Sequence, residues 1–129
     1  MGTWLFGTAS ADITPSSPQY LVGMGWRTER SKGVYLPLAA TALYLSDGDA
    51  EAVILSADLI GFPTPMVRRL RAAAGREAGI PADHVVCCAT HTHDAPRLSD
   101  DMAMAGEADA AYVRWLEEQL CRLVPAAKA

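Results

Sequence analysis

The sequence predicts an α/β fold, a mixed β-sheet with helices packed on one face. Three observations predict it. Two apolar runs, 38–45 and 51–58, flank Asp47-Gly48-Asp49, and Asp-Gly between apolar runs is a strong hairpin signal. A helical pattern then separates the second run from another short apolar run, "HVVCCAT" at 84–90, an arrangement that lets two strands lie parallel. A second helical pattern follows near the end of the chain. The length, 129 residues, fits a single domain spanning 1–129.

The elements follow in chain order. "WLFGTASADIT" (4–14) alternates as a first strand, with Trp4, Phe6 and Thr8 on one face, and Pro15 and Pro18 end it. "LVGMGWRTERSKG" (21–33) has three glycines and no sustained period, so it reads as an irregular loop near a site. The hairpin strands come next. Thr64 then reads as an N-cap with Pro65 at the first helical position. Val67, Leu70, Ala74 and Ala78 form the apolar side, and Gly79 and Pro81 stop the helix. "HVVCCAT" is apolar on both faces, which predicts a central strand. Residues 94–106 read as a polar loop in which Met102 and Met104 are candidates for an apolar lid or a mobile surface segment. "EADAAYVRWLEEQLCRLV" (107–124) reads as the last helix, with Val113, Leu116, Leu120 and Leu123 buried, and "PAAKA" as a frayed tail. Two helices cover one sheet face. Little is left to cover the other, so a partner surface is expected there.

Composition narrows the function. The net charge is −4 and no basic cluster exceeds Arg68–Arg71, so neither nucleic acid nor an anionic membrane is the expected partner. No apolar run is long enough to span a bilayer. "MGTWLFG" lacks the basic start and long apolar stretch of a secretory signal, and Cys87, Cys88 and Cys121 form no CxxC. Buried free thiols in a reducing cytoplasm are the expectation.

The chemistry concentrates in "CCATHTHDAP" (87–96). In extended backbone, residues i and i+2 point the same way, so His91 and His93 could present both imidazoles to one face. Such a pair can share one Zn²⁺, or place one ring on the metal and the other on its substrate. Asp94 adds a carboxylate, and Asp58, at the end of the neighbouring strand, could orient a histidine through its second nitrogen. Two polar residues at a strand end would carry the same letters. His84 lies about 20 Å away along an extended strand and is expected at the surface. Trp26 reads as pocket lining or packing, and Arg97 as a group for an anionic substrate or a solvated cation.

At these residues the sequence resembles the N-terminal part of the neutral/alkaline non-lysosomal ceramidase family. The segments "GTASADITP", "LVGMGW", "GVYLPLAATALYL", "VILSADLIG" and "HVVCCATHTHDAP" occur in the family's order. The resemblance implies half of that family's layered N-terminal domain, and hydrolysis of an N-acyl amide by zinc-activated water. It implies His91 as a zinc ligand and His93 as a neighbour that contacts substrate or the metal's water. The departures are specific. Asp94-Ala95 stands where the family has Ser-Gly, and Tyr35 where it has a histidine. Family members are much longer, and their further ligands, a His, a Glu and a Tyr, come from segments beyond residue 129.

Three readings follow. The chain is a zinc-dependent amide hydrolase-like subunit whose site is completed by a second chain or a second copy. Or it is a stand-alone hydrolase with zinc on His91, His93 and Asp94 or Asp58. Or it is a non-catalytic binding or assembly subunit that retains the fold. The first is the leading expectation, with His93, Asp94 and Asp58 as catalytic candidates, His91 and His93 as metal candidates, and a small-molecule N-acyl amide as substrate.

Overall fold

The computed structural model describes residues 2–101 and 104–129. Four strands form one sheet in the order β1 (Leu5–Asp12), β2 (Ala39–Ser46), β3 (Glu51–Ala57) and β4 (Val85–Ala89). The first three pair antiparallel, and β4 joins β3 in parallel. Helix α1 (Thr64–Ala78) connects β3 to β4, and α2 (Ala110–Lys128) closes the described chain. The expected mixed sheet with helices on one face is what forms.

Local chemistry explains the elements. Between β2 and β3, the Asp47 carboxylate accepts from the backbone N–H groups of Asp49 and Ala50, and Gly48 takes φ 96°. Those backbone donors, Ala50 first, hold the Asp47 carboxyl below its usual range. Helix α1 ends on Gly79 at φ 68°, the left-handed cap that glycine favours. Its start differs from expectation. Thr64 is already helical, Pro63 occupies the cap position, and no side chain caps the turn. Proline in the first turn compensates in part, because its missing N–H would have no helical partner there. At α2 the Asp109 carboxylate accepts from Ala111 and Tyr112 N–H and from Gln19 Nε2. The Gln19 bond is the largest reason its carboxyl lies below the usual range.

The core lies between the sheet and the two helices. Val53, Leu55 and Ala57 of β3 meet Leu70 and Ala74 of α1 and Leu116, Leu120 and Val124 of α2 in one cluster. Small residues of β1 and β2 (Gly7, Ala9, Ala40, Ala42) let α2 lie close. A Cβ on Gly7 would overlap the Ala127 carbonyl. Tyr112 donates its hydroxyl to the Ile13 carbonyl at 2.8 Å, and burial raises its phenol above the usual range. Arg69 forms a two-pronged ion pair with Glu117, joining α1 to α2.

The opposite sheet face carries rows of outward residues. Phe6 pairs with Leu45 and Leu45 with Ala52; Thr8, Leu43, Ile54 and Val86 follow each other across all four strands. Phe6 is 76% exposed, and Trp4 and Val86 are also exposed. Among the described residues no second layer covers this face, as expected from the shortage of helices.

Two expectations are corrected. β4 is an edge strand, not a central one. Its double-sided apolarity reports the core on one face and the uncovered apolar face, through Val86, on the other; it says nothing about edge position. The final five residues are not a frayed tail. Helix α2 runs through Pro125, Ala127 is buried, and Lys128 Nζ donates to the Ala78 carbonyl and pairs with Glu51, each at 2.8 Å. Packing against β1 outweighs the backbone bond that Pro125 cannot donate.

Gly7→Ala should destabilise the fold by about 1–3 kcal/mol through overpacking against α2. Gly75→Ala, on the exposed side of α1 with only ordinary contact for its new methyl, should be neutral or stabilising. Denaturant unfolding of both variants checks the pair. Equal stability for Gly7→Ala and the parent would show that α2 does not sit against β1.

Candidate functional site

Parallel pairing places the C-terminal ends of β3 and β4 side by side, and the candidate residues follow those ends. The chains stay linked past the strands. Thr90 N–H donates to the Ala57 carbonyl at 3.0 Å, and His91 N–H to the Leu59 carbonyl at 3.0 Å. The His91 ring makes a third link, Nδ1 to the Ile60 carbonyl at 2.7 Å. A carbonyl oxygen only accepts, so Nδ1 carries the proton. In the neutral ring Nε2 then keeps its lone pair, the state a metal ligand needs.

His91 is also the one described non-glycine residue with positive φ, at 63°. This left-handed backbone is uncommon outside glycine and recurs at functional sites. It changes how the histidines meet. The strand ends at Ala89, so the pleat does not align them as expected from extended backbone. The turn at His91 brings the rings together instead, with centroids 5.0 Å apart and planes at 82°.

The loop 21–33 packs against this turn, as its glycines suggested. Val22 N–H donates to the Ala95 carbonyl, and Arg97 N–H to the Tyr20 carbonyl. Gly23 lies under the His93 ring. Arg27 donates to the His93 carbonyl and to the Asp94 carboxylate, both at 2.9 Å. Gly23, Arg27 and Ile60 are the site residues that sequence reasoning did not single out. The glycine spacing was the available signal for Gly23. Arg27 and Ile60 act on partners 66 and 31 residues away and left no local one.

The carboxylates are engaged elsewhere. Asp58 Oδ2 accepts from Ala39 N–H at 2.9 Å, and Asp58 N–H donates to the Ala39 carbonyl, tying the end of β3 to the start of β2. The group orienting His91 through Nδ1 is therefore Ile60, where Asp58 was the candidate. Asp94 pairs with Arg27, its side chain 73% exposed. Among the described residues no three His, Cys, Asp or Glu side chains gather as a metal-binding group. The three-ligand set of the stand-alone reading is thus not assembled: Asp58 and Asp94 face backbone and guanidinium partners.

Asp58, Thr92 and Asp94 help line a cavity of about 570 Å³, together with apolar Leu21, Val34 and Leu36. Tyr35 also lines it and is almost fully exposed. Trp26 is largely exposed and is absent from that lining.

Other candidates resolve as structure. Arg97 is 3% exposed, and its guanidinium donates to the Ser99 and Met104 carbonyls at 2.8 Å, beside Asp100 at 3.5 Å. It organises its own loop and is neither solvated nor presented to a substrate. His84 donates Nδ1 to the Glu51 carbonyl at the far end of β4. The three cysteines are free, and burial is the main cause that raises the thiols of Cys87 and Cys121. Met102 lies outside the described residues; Met104 contributes its carbonyl to Arg97.

No protein-family model matches the sequence, and no curated protein matches it significantly. Solved structures do match its fold. One is a ceramidase complexed with C2, with a TM-score of 0.80 and 20% identity, over 99% of this chain and 21% of that one. Another is the neutral ceramidase from Pseudomonas aeruginosa, with a TM-score of 0.73 and 20% identity, over 99% of this chain and 22% of that one. The chain therefore spans about a fifth of the length of these structures. What they share with it, almost from end to end of its sequence, is the fold, and that fold is ceramidase-like.

Proposed function

We propose that the chain is a zinc-dependent N-acyl amide hydrolase-like subunit whose metal site is completed by a second chain or a second copy. The observation that carries this reading is His91. Its backbone is held in a left-handed turn, its Nδ1 proton is committed to Ile60, and Nε2 is left as a donor atom for a cation. The ceramidase-like fold points in the same direction.

The donor set fits zinc in part. Imidazole nitrogen suits zinc, which takes about four ligands, three from protein in most catalytic sites. His91 supplies one position, and His93 stands 5.0 Å from it between ring centroids. The remaining ligands come from outside this chain. Zinc bound there would polarise an amide carbonyl and lower the pKa of a water. The chain's own residues would do the rest. His93 would donate to the oxygen of the amide as charge develops on it. The apolar residues of the adjoining cavity would hold the acyl part, and Asp58 and Asp94 would supply carboxylates in its lining. The uncovered apolar sheet face supports a partner, because exposed apolar patches of this kind mark interaction surfaces.

That same face, with no three-donor cluster among the described residues, favours a second reading: a non-catalytic binding or assembly subunit. No described helix is long and apolar enough to cross a membrane. Three free cysteines support residence in a reducing compartment such as the cytoplasm.

Mass in solution and zinc content of the purified chain separate the readings. One zinc per two chains in a dimer, or zinc uptake only with a partner polypeptide, is the expected result. A monomer that ignores added zinc alone and in any complex leaves the assembly reading. In the complete assembly, His91→Ala should lose zinc and activity with the fold intact. His93→Ala should keep zinc and lose roughly 10²-fold or more in turnover on an N-acyl amide. Full zinc and full turnover in His91→Ala would remove this residue from the site.

A further inference from the structure

We infer that Gly23 is a positioning residue for His93: its bare Cα is the seat on which the imidazole rests, and the segment 22–27 fixes that ring edge-on to His91. The functional meaning rests on the site proposed above. The geometric claim does not depend on zinc.

Three observations converge. Gly23 takes φ 100°, a conformation that side chains rarely adopt. A Cβ there would overlap the ring carbon of His93 and would lie 2.6 Å from its Nδ1 and 2.7 Å from its Cβ. The glycine is therefore required twice, by its backbone and by its neighbour. The second observation is register. Leu21 bridges Pro96, and Val22 N–H donates to the Ala95 carbonyl at 3.1 Å. The two segments are paired immediately before Gly23 and after His93, which holds Gly23 against the ring. The third is Arg27. Nη1 donates to the His93 carbonyl and Nη2 to Asp94 Oδ1, each at 2.9 Å. Asp94 N–H in turn reaches Thr92 Oγ1 at 3.3 Å.

Together these leave His93 few alternatives. Its carbonyl is held by a guanidinium, its ring is walled below by Gly23, and its other neighbour is the His91 ring. A methyl at position 23 must push the imidazole out of this seat, because the flanking backbone is paired. Displacement would separate the two rings without touching the core or the His91–Ile60 bond.

The test uses the full chain without metal and reads histidine ring signals by NMR. Gly23→Ala should abolish the nuclear Overhauser contact between the His91 and His93 rings and shift the His93 ring signals, leaving those of His84 in place. Gly48→Ala is the control: Gly48 has nearly the same φ, 96°, with open space for a methyl, so it carries the backbone strain without the overlap. It should leave all three histidines unmoved. Retention of the ring–ring contact in Gly23→Ala overturns the inference. Should Gly23→Ala fold poorly, the double variant Gly23→Ala with His93→Gly decides, because it removes both the ring and the Cβ that a methyl at position 23 would meet. Its melting temperature should recover towards that of His93→Gly alone, and no recovery overturns the inference. Failure to bind zinc would count against the proposed function and leave these outcomes unchanged.

Discussion

The site depends on one constraint, the parallel alignment of β3 and β4 carried past the ends of both strands. Val53 to Ala57 pair with Val85 to Ala89 inside the sheet. Beyond it, Thr90 and His91 continue to donate to Ala57 and Leu59, and the His91 ring reaches Ile60. The imidazole is thus the last rung of a ladder that began in the core. Each rung below it rests on buried Val53, Leu55, Val85 and Leu59. Burial of those side chains fixes the register, and register fixes the ring. A hydrogen bond to a main-chain carbonyl sets which nitrogen is left for chemistry, as an outer partner does for metal-bound histidines generally.

The second theme is asymmetry between the sheet faces. One face is closed by α1 and α2 with small residues that admit close approach. The other shows Phe6, Leu43, Leu45, Ile54 and Val86 with no second layer among the described residues. An antiparallel sheet can leave a face to water, but such a face is normally polar. Here it is apolar through its middle apart from Thr8, and becomes Ser and Thr at the row of Ser10, Thr41 and Ser56. The uncovered face is the one large apolar surface of the sheet that no helix of the described residues packs against.

Much of this was legible in the sequence because it is local. The Asp47-Gly48 turn, the Gly79 stop, the Leu116-Leu120-Leu123 stripe and the parallel placing of β3 and β4 follow from spacing and backbone preference. Other features were hidden because they are set by distant partners. Pro125 and the residues after it read as a tail, yet contacts with Gly7, Ala78 and Glu51 extend the helix. "HVVCCAT" read as central because apolarity reveals faces and not edges. The histidine pair was legible as a pair, but its geometry comes from a left-handed turn at His91 that no periodicity encodes. Asp58 is chemically as good an orienting group as Ile60, and only the path of the chain assigned it to Ala39.

The central claim is that His91 donates Nδ1–H to Ile60 and so keeps Nε2 available. Long-range ¹H–¹⁵N correlation of the imidazoles, at a pH where the ring is neutral and with no metal added, tests it most directly. The structure predicts that His91 carries its proton on Nδ1. A His91 ring protonated on Nε2, or exchanging freely between tautomers, would contradict the account.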